Sequence, residues 1–171
     1  ATLQLQRQDF VQAQQNIKKV LERVPNMRQA QRLLVSVYVG QRESARALEA
    51  LQPLLKERTD DVALLNLAGQ VYAINGDFAR SEEYFGRASA ADPKNAQLRT
   101  RLGVSRLAGG EVEQAFQDLE AASALDADNI QPDITLIMAH LRRNEVAKAM
   151  ASVQTLEKKR PNDPVTFNMK G

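Results

Sequence analysis

Apolar residues along this chain fall into columns that repeat at a fixed distance. Ala13, Ala47, Ser81, Ala115 and Ala149 stand 34 residues apart. Ile17, Leu51, Phe85, Leu119 and Val153 form a column four residues later, and Val20, Leu54, Ala88, Ala122 and Leu156 another after three more. Spacing of i, i+4 and i+7 puts all three columns on one face of an α-helix. A second stripe precedes each of these: Leu34, Ala68, Leu102 and Leu136, then Val35, Gly69, Gly103, Ile137 and Gly171, then Tyr38, Tyr72, Arg106 and His140. The pattern predicts pairs of amphipathic helices, and no segment alternates with the two-residue period of a half-buried strand.

Turn chemistry lies between the stripes. Gly76-Asp77, Gly110-Glu111 and Asn144-Glu145 join a residue tolerant of left-handed backbone to an acid that favours a helix start. The acid recurs as Asp9, Glu43, Asp77, Glu111 and Glu145. Asp61, Asn95, Asn129 and Asp163 fall where each leading helix needs a cap, with Pro164 in the first turn that follows. Pro25, Pro93 and Pro161 are 68 apart, so the period of 34 holds without insertion or deletion. The expected organisation is one continuous array over 1–171. A partial unit over 1–27 precedes full units at 28–61, 62–95, 96–129 and 130–163, and another opens at 164–171. On this phase Ala1 to Arg7 is the trailing half of a leading helix, with a hairpin turn near Gln8. The chain reads as a piece of a longer protein, with any targeting signal outside it.

These columns resemble the tetratricopeptide repeat family, whose signature is best matched by Gly69, Tyr72, Gly76, Phe78, Phe85, Ala88 and Pro93. The resemblance implies an all-α fold, a right-handed superhelical solenoid of antiparallel helix pairs. It also implies a protein or peptide partner held without catalysis. Arg106 and His140 depart from it where an aromatic is expected, as do Val35 and Ile137 where a small residue is expected, which leaves local packing open. The Gln- and Ala-rich texture and the closing residues 162–171 further resemble bacterial tetratricopeptide lipoproteins of the exosortase (PEP-CTERM) and exopolysaccharide system. That narrower resemblance implies a periplasmic or outer-membrane-anchored scaffold, held by an upstream lipid anchor; a cytoplasmic adaptor or co-chaperone is the alternative.

Composition narrows the function classes. A net charge of +2 is too small for an electrostatic nucleic-acid or membrane-surface binder. The absence of Cys, with a single His, removes disulfide frameworks, thiol chemistry and His/Cys zinc sites. Aromatics at 5% and an absent Trp favour helix over sheet. No apolar run approaches the 18 residues of a membrane span. No catalytic residue, cofactor or metal site is expected, and neither nucleic acid nor direct membrane insertion. Charge is uneven: 96–129 holds three Arg against six acids, net −3, and 130–171 seven Lys and Arg against four acids, net +3.

Binding in helical-repeat arrays uses the concave face of the leading helices. The helical phase places Arg32 and Ser36 there in one unit, and Asn66 and Gln70 in the next. Thr100, Val104 and Leu107 follow, then Ile134, Met138 and Leu141. Asn66 and Gln70, one turn apart, are either hydrated groove surface or an amide clamp for an extended backbone. Val104, Leu107, Ile134, Met138 and Leu141 form an apolar strip for a partner helix or peptide. The Lys-and-Asn carboxylate clamp of some chaperone-binding members is not reproduced. Lys158-Lys159-Arg160 reads as a solvated helix end, His140 as a packing or hydrogen-bonding residue, and Gly109-Gly110 as a turn. End-to-end self-association through the incomplete repeats is a further expected partner mode.

Overall fold

The structure, a computed structural model, describes the backbone of residues 2–56, 59–161 and 164, and side chains from Asp9 onward. The chain divides into two compact units, 1–88 and 89–171. In the first unit, α1 (Thr2–Arg23) is followed by α2 (Arg28–Gly40), α3 (Ser44–Leu51), α4 (Val62–Ile74) and most of α5 (Phe78–Ala91). The second holds the end of α5, then α6 (Ala96–Gly109), α7 (Val112–Leu125), α8 (Gln131–Arg142) and α9 (Val146–Lys159). Every regular element among the described residues is helical. Leading helices (α2, α4, α6, α8) alternate with trailing ones (α1, α3, α5, α7, α9).

The hairpin turns repeat as the sequence does. Arg42, Gly76, Gly110 and Asn144, each 34 from the last, take positive φ of 58°, 76°, 92° and 59°. The next residue's N–H then reaches back to the end of the leading helix: Glu43 to Tyr38, Asp77 to Tyr72, Glu111 to Arg106 and Glu145 to His140, at 2.9–3.0 Å. These bonds satisfy carbonyls that the helix end would orphan. At helix starts, the side chains of Asp61 and Asn95 accept from the Leu64 and Leu98 N–H at 3.0 and 3.2 Å. Asn129 departs from this, because the residue three on is Pro132, which has no N–H to give. It accepts from Gln131 N–H instead, at 3.1 Å, and α8 begins one residue later than its counterparts.

The stripes meet as helix pairs. In the first unit Val35, Leu51, Leu54, Leu64, Ala68 and Val71 are 2% exposed or less and form one core. A β-carbon built on Gly69 would fall against the ring of Phe85, and the Ser81 hydroxyl donates to the Gly69 carbonyl at 3.0 Å. In the second unit Leu119 closes on Gly103 in the same way, and Ile137, Val153 and Leu156 form a buried cluster. Val35 and Ile137, too large for the small-residue column, face smaller trailing residues, Leu51 and Val153, in the place of Phe85.

Three local expectations change. Helix α1 runs unbroken through Gln8, where a turn was expected; Arg7-Gln8-Asp9 offers no Gly or Asn for the left-handed residue. Helix α3 is short, because Pro53 lacks the N–H that would continue it, and the chain goes on as a single 3-10 turn over Gln52–Leu55. The cap at Asp163 and the half-helix over 164–171 lie, except for Pro164, outside the described residues.

Candidate functional site

In the first unit α2 and α4 enclose a concavity of about 700 Å³. Arg32 and Ser36 line one wall, Asn66 and Gln70 the other. The structure thus brings these four predicted residues together. Arg32 is less free than the sequence suggested: its guanidinium forks onto Asp61 at 2.7 and 3.3 Å. Asp61 also caps α4, and the Leu64 N–H, followed by Arg32, holds its carboxyl below the usual range despite an opposing effect of burial. Gln70 Nε2 donates to the Asn66 carbonyl at 3.3 Å and Ser36 Oγ to the Arg32 carbonyl at 3.1 Å, so both side chains are steadied on their own helices. The result is a mixed surface: Arg28, Gln29, Leu33, Ala63 and Leu67 line the concavity beside these four, and the Arg32 charge is answered by Asp61.

The second unit carries the apolar strip. Val104, Met138 and Leu141 are 44–49% exposed, with Leu107 and Ile134 half-buried beside them. Thr100 departs from the expected row. It is 6% exposed and its hydroxyl donates to the Ala96 carbonyl at 2.7 Å, because a short side chain at this position folds back onto its own turn. It offers a partner nothing.

Buried polar groups in the second unit escaped sequence reasoning. Asp118, 6% exposed, lies 2.5 Å from Arg106 Nη1 and 3.4 Å from Arg99 Nε. Asp133, 2% exposed, accepts from Ser123 Oγ at 2.7 Å and from Lys159 Nζ at 3.1 Å; Lys159 Nζ also donates to Ser123, to its carbonyl at 2.8 Å and to its hydroxyl. Lys159 is therefore no solvated helix end: it reaches from the last turn of α9 across α8 to α7. His140 takes a tyrosine position, lies on Phe116 with ring centroids 4.4 Å apart, and bonds Glu145 through Nδ1 at 2.8 Å. This bond first, and then that from Arg143, hold the Glu145 carboxyl down at about 2. No sequence column marks these pairs, since their members come from different stripes. Among the described residues no group of three or more His, Asp or Glu gathers as metal ligands.

Models of two tetratricopeptide repeat families match residues 4–71 with 106–168, and 66–130. The chain belongs to the tetratricopeptide repeat family. Solved structures agree on the fold. A fragment of MamA from Desulfovibrio magneticus RS-1 superposes with a TM-score of 0.81 at 16% identity, covering 94% of this chain and 90% of that one. YrrB, described as a tetratricopeptide repeat protein with an unusual peptide-binding site, gives 0.75 at 16%, covering 99% and 87%. The thermophilic TTC0263 of Thermus thermophilus gives 0.69 at 18%, covering 98% and 91%. Identities this low speak for the all-α repeat fold alone. No curated protein matches the chain. Within the family frame, Arg106 and His140 replace the usual aromatic, and each brings its own partner, Asp118 or the Phe116–Glu145 pair.

Proposed function

We propose that this tetratricopeptide repeat chain is a non-catalytic scaffold that holds a protein or peptide partner along the inner faces of its leading helices. One observation carries the reading: the concavity in which the polar side chains of Arg32, Ser36, Asn66 and Gln70 converge within a single unit. Paired amides and a guanidinium held by Asp61 offer donors and acceptors to an extended backbone, and in the second unit the strip of Val104, Met138 and Leu141 offers an apolar surface of its own. The setting we propose is an extracytoplasmic bacterial lipoprotein serving exopolysaccharide or envelope protein sorting, supported by the resemblance in texture and closing residues. The test is affinity capture by the purified chain from envelope and cytosolic fractions in parallel, with groove-substituted chains as controls. Partners enriched from the envelope and lost with the substitutions support the reading. Cytosolic partners lost in the same way support the adaptor alternative, and capture indifferent to the substitutions overturns the groove assignment.

Self-association is a second partner mode that a specific observation favours. Val20 is 41% exposed, whereas Leu54, Ala88, Ala122 and Leu156 in the same column are 1% or less. The face of α1 that later trailing helices bury is open at Val20 and half-buried at Ala13 and Ile17, and a helix from a second copy fits the same chemistry. Sedimentation velocity across a hundredfold concentration range tests this: association weakened by Val20→Ser supports it, and a constant monomer overturns it.

A further inference from the structure

Asn75 and Gly76, which join α4 to α5, are the one Asn-Gly pair in the chain. That pair carries chemistry of its own. Glycine has no β-carbon to crowd its backbone nitrogen, so the nitrogen can attack the side-chain amide carbon before it and close a five-membered imide. Both residues are exposed, and among the described residues nothing lies within 4 Å of a β-carbon built on Gly76, so water and hydroxide reach the turn.

The fold holds this reaction off. Asn75 sits at φ −87° and ψ −3°, a helical backbone that turns the Gly76 nitrogen away from the side chain, and the Gly76 N–H donates to the Ala73 carbonyl at 3.1 Å. The Asn75 amide is held as well: Nδ2 donates to the Val71 carbonyl at 2.8 Å and to that of Ser44, the first residue of α3, at 3.0 Å. These bonds tie the end of α4 to the preceding trailing helix. Gln41, Gly109 and Arg143 stand at the same register in the other repeats, so the reactive pair occurs in this turn alone. Ring closure waits until the last turn of α4 lets go of Val71 and Ser44.

We propose that Asn75 is a deamidation site gated by the contact between α3 and α4, and that its conversion releases this contact for good. When the turn opens, the Gly76 nitrogen gives up its proton and bonds to Asn75 Cγ, and the Cγ–Nδ2 bond breaks with loss of ammonia. Water then opens the imide at either carbonyl, leaving aspartate or isoaspartate. In both products a carboxylate stands where the amide donated, facing two carbonyl oxygens. Isoaspartate also puts an extra methylene into the backbone ahead of Gly76, where a φ of 76° and the bond from Asp77 N–H to the Tyr72 carbonyl shape the hairpin. The site is independent of what the inner grooves bind.

The experiment incubates the chain at mildly alkaline pH, folded and in guanidinium chloride. Ion exchange resolves the added negative charge, and peptide mapping with isoaspartyl methyltransferase labelling places it. We expect conversion at Asn75 ahead of every other Asn, about thirtyfold slower in the folded chain, the size of two net hydrogen bonds. Leu48→Ala thins the packing of α3 against the core, and should speed conversion while the helical circular dichroism stays. Gly76→Asn supplies the residue that holds the same turn position as Asn144, at a φ of 59°, and should remove the fast reaction. The converted chain should melt below the fresh one. Equal rates in the folded and denatured chain, or an unchanged rate in folded Leu48→Ala, overturn the gate. A Gly76→Asn chain that converts at the original rate, or another Asn converting first, overturns the site, and an unchanged melting temperature after conversion overturns the release.

Discussion

A β-carbon on Gly69 would lie 2.6 Å from Cδ1 of Phe85, closer than two carbons approach without something giving way. The helix pair is therefore set by what is missing from α4 as much as by what α5 supplies. Phe85→Ala empties the site and should cost roughly 3–5 kcal/mol, lowering the melting temperature of the whole chain because repeats are stabilised by their neighbours. Gly69→Val should also destabilise, by about 1–3 kcal/mol of overpacking. Val35 facing Leu51 shows the alternative solution, so Gly69→Val with Phe85→Leu should be less harmful than the sum of its parts. Thermal denaturation of the four chains measures the coupling; strict additivity would mean that the two side chains do not share the space assigned to them.

Arg106 and Asp118 occupy, one repeat later, the positions of Tyr72 and Tyr84, whose rings stack at 5.4 Å and 7°. One repeat closes this contact with aromatic faces and the next with an ion pair, whose Asp118 side chain is 8% exposed. Removing one member of a buried pair strands the other, at about 3–5 kcal/mol where both are fully enclosed. Arg106 remains 24% exposed and Arg99 stays 3.4 Å from Asp118, so Arg106→Ala should fall below that range. Arg106→Tyr with Asp118→Tyr should recover most of that loss by restoring the stack. A double variant less stable than Arg106→Ala would show that the two contacts are not equivalent.

The repeat, the helix pairs and the left-handed turn residues were legible because each is a local pattern: Gly76 and Gly110 announce a positive φ by composition alone. Arg42 takes the same conformation without announcing it, and Gln8 at the same phase does not take it. The inner groove was legible in outline, since helical phase alone places Asn66 and Gln70 on one wall. Its detail was not, because Asp61 was read only as a cap and not as the acid that restrains Arg32. Lys159 was hidden in a basic run that reads as a helix end, and its acid, Asp133, stands 26 residues earlier on another stripe. Pairings between stripes have no period, so the columns that revealed the fold could not reveal them.

Acid should loosen the turn between α8 and α9. The Glu145 carboxyl titrates at about 2, held down first by His140 and then by Arg143, against an ordinary value near 4.5. Its folded value is depressed, so its contribution is complete above about pH 4.5 and is lost as pH falls toward 2. Asp61, also depressed, adds in the same direction. The melting temperature should therefore fall across that window, and Glu145→Gln should both lower it at neutral pH and flatten its acid slope. A Glu145→Gln chain with an unchanged slope would place the acid sensitivity elsewhere.

The two inner grooves should separate by chemistry. Asn66→Ala with Gln70→Ala removes the amides from the polar wall, whereas Val104→Ser with Met138→Ser makes the apolar strip polar. Val104 and Met138 are 45% and 44% exposed, so neither pair opens a core cavity, and helicity should be unchanged. A partner segment bound through its backbone loses the hydrogen bonds of two amides in the first variant, a weakening of about thirtyfold at roughly 1 kcal/mol each, and is nearly indifferent to the second. An amphipathic helix seated on Val104 and Met138 reverses that order, since the second variant takes away the apolar surface it buries. Calorimetric titration of one captured partner against both variants reads the order directly. A partner weakened equally by both spans the two grooves, and one weakened by neither binds through the turns or the trailing helices, which would move recognition off the leading helices altogether.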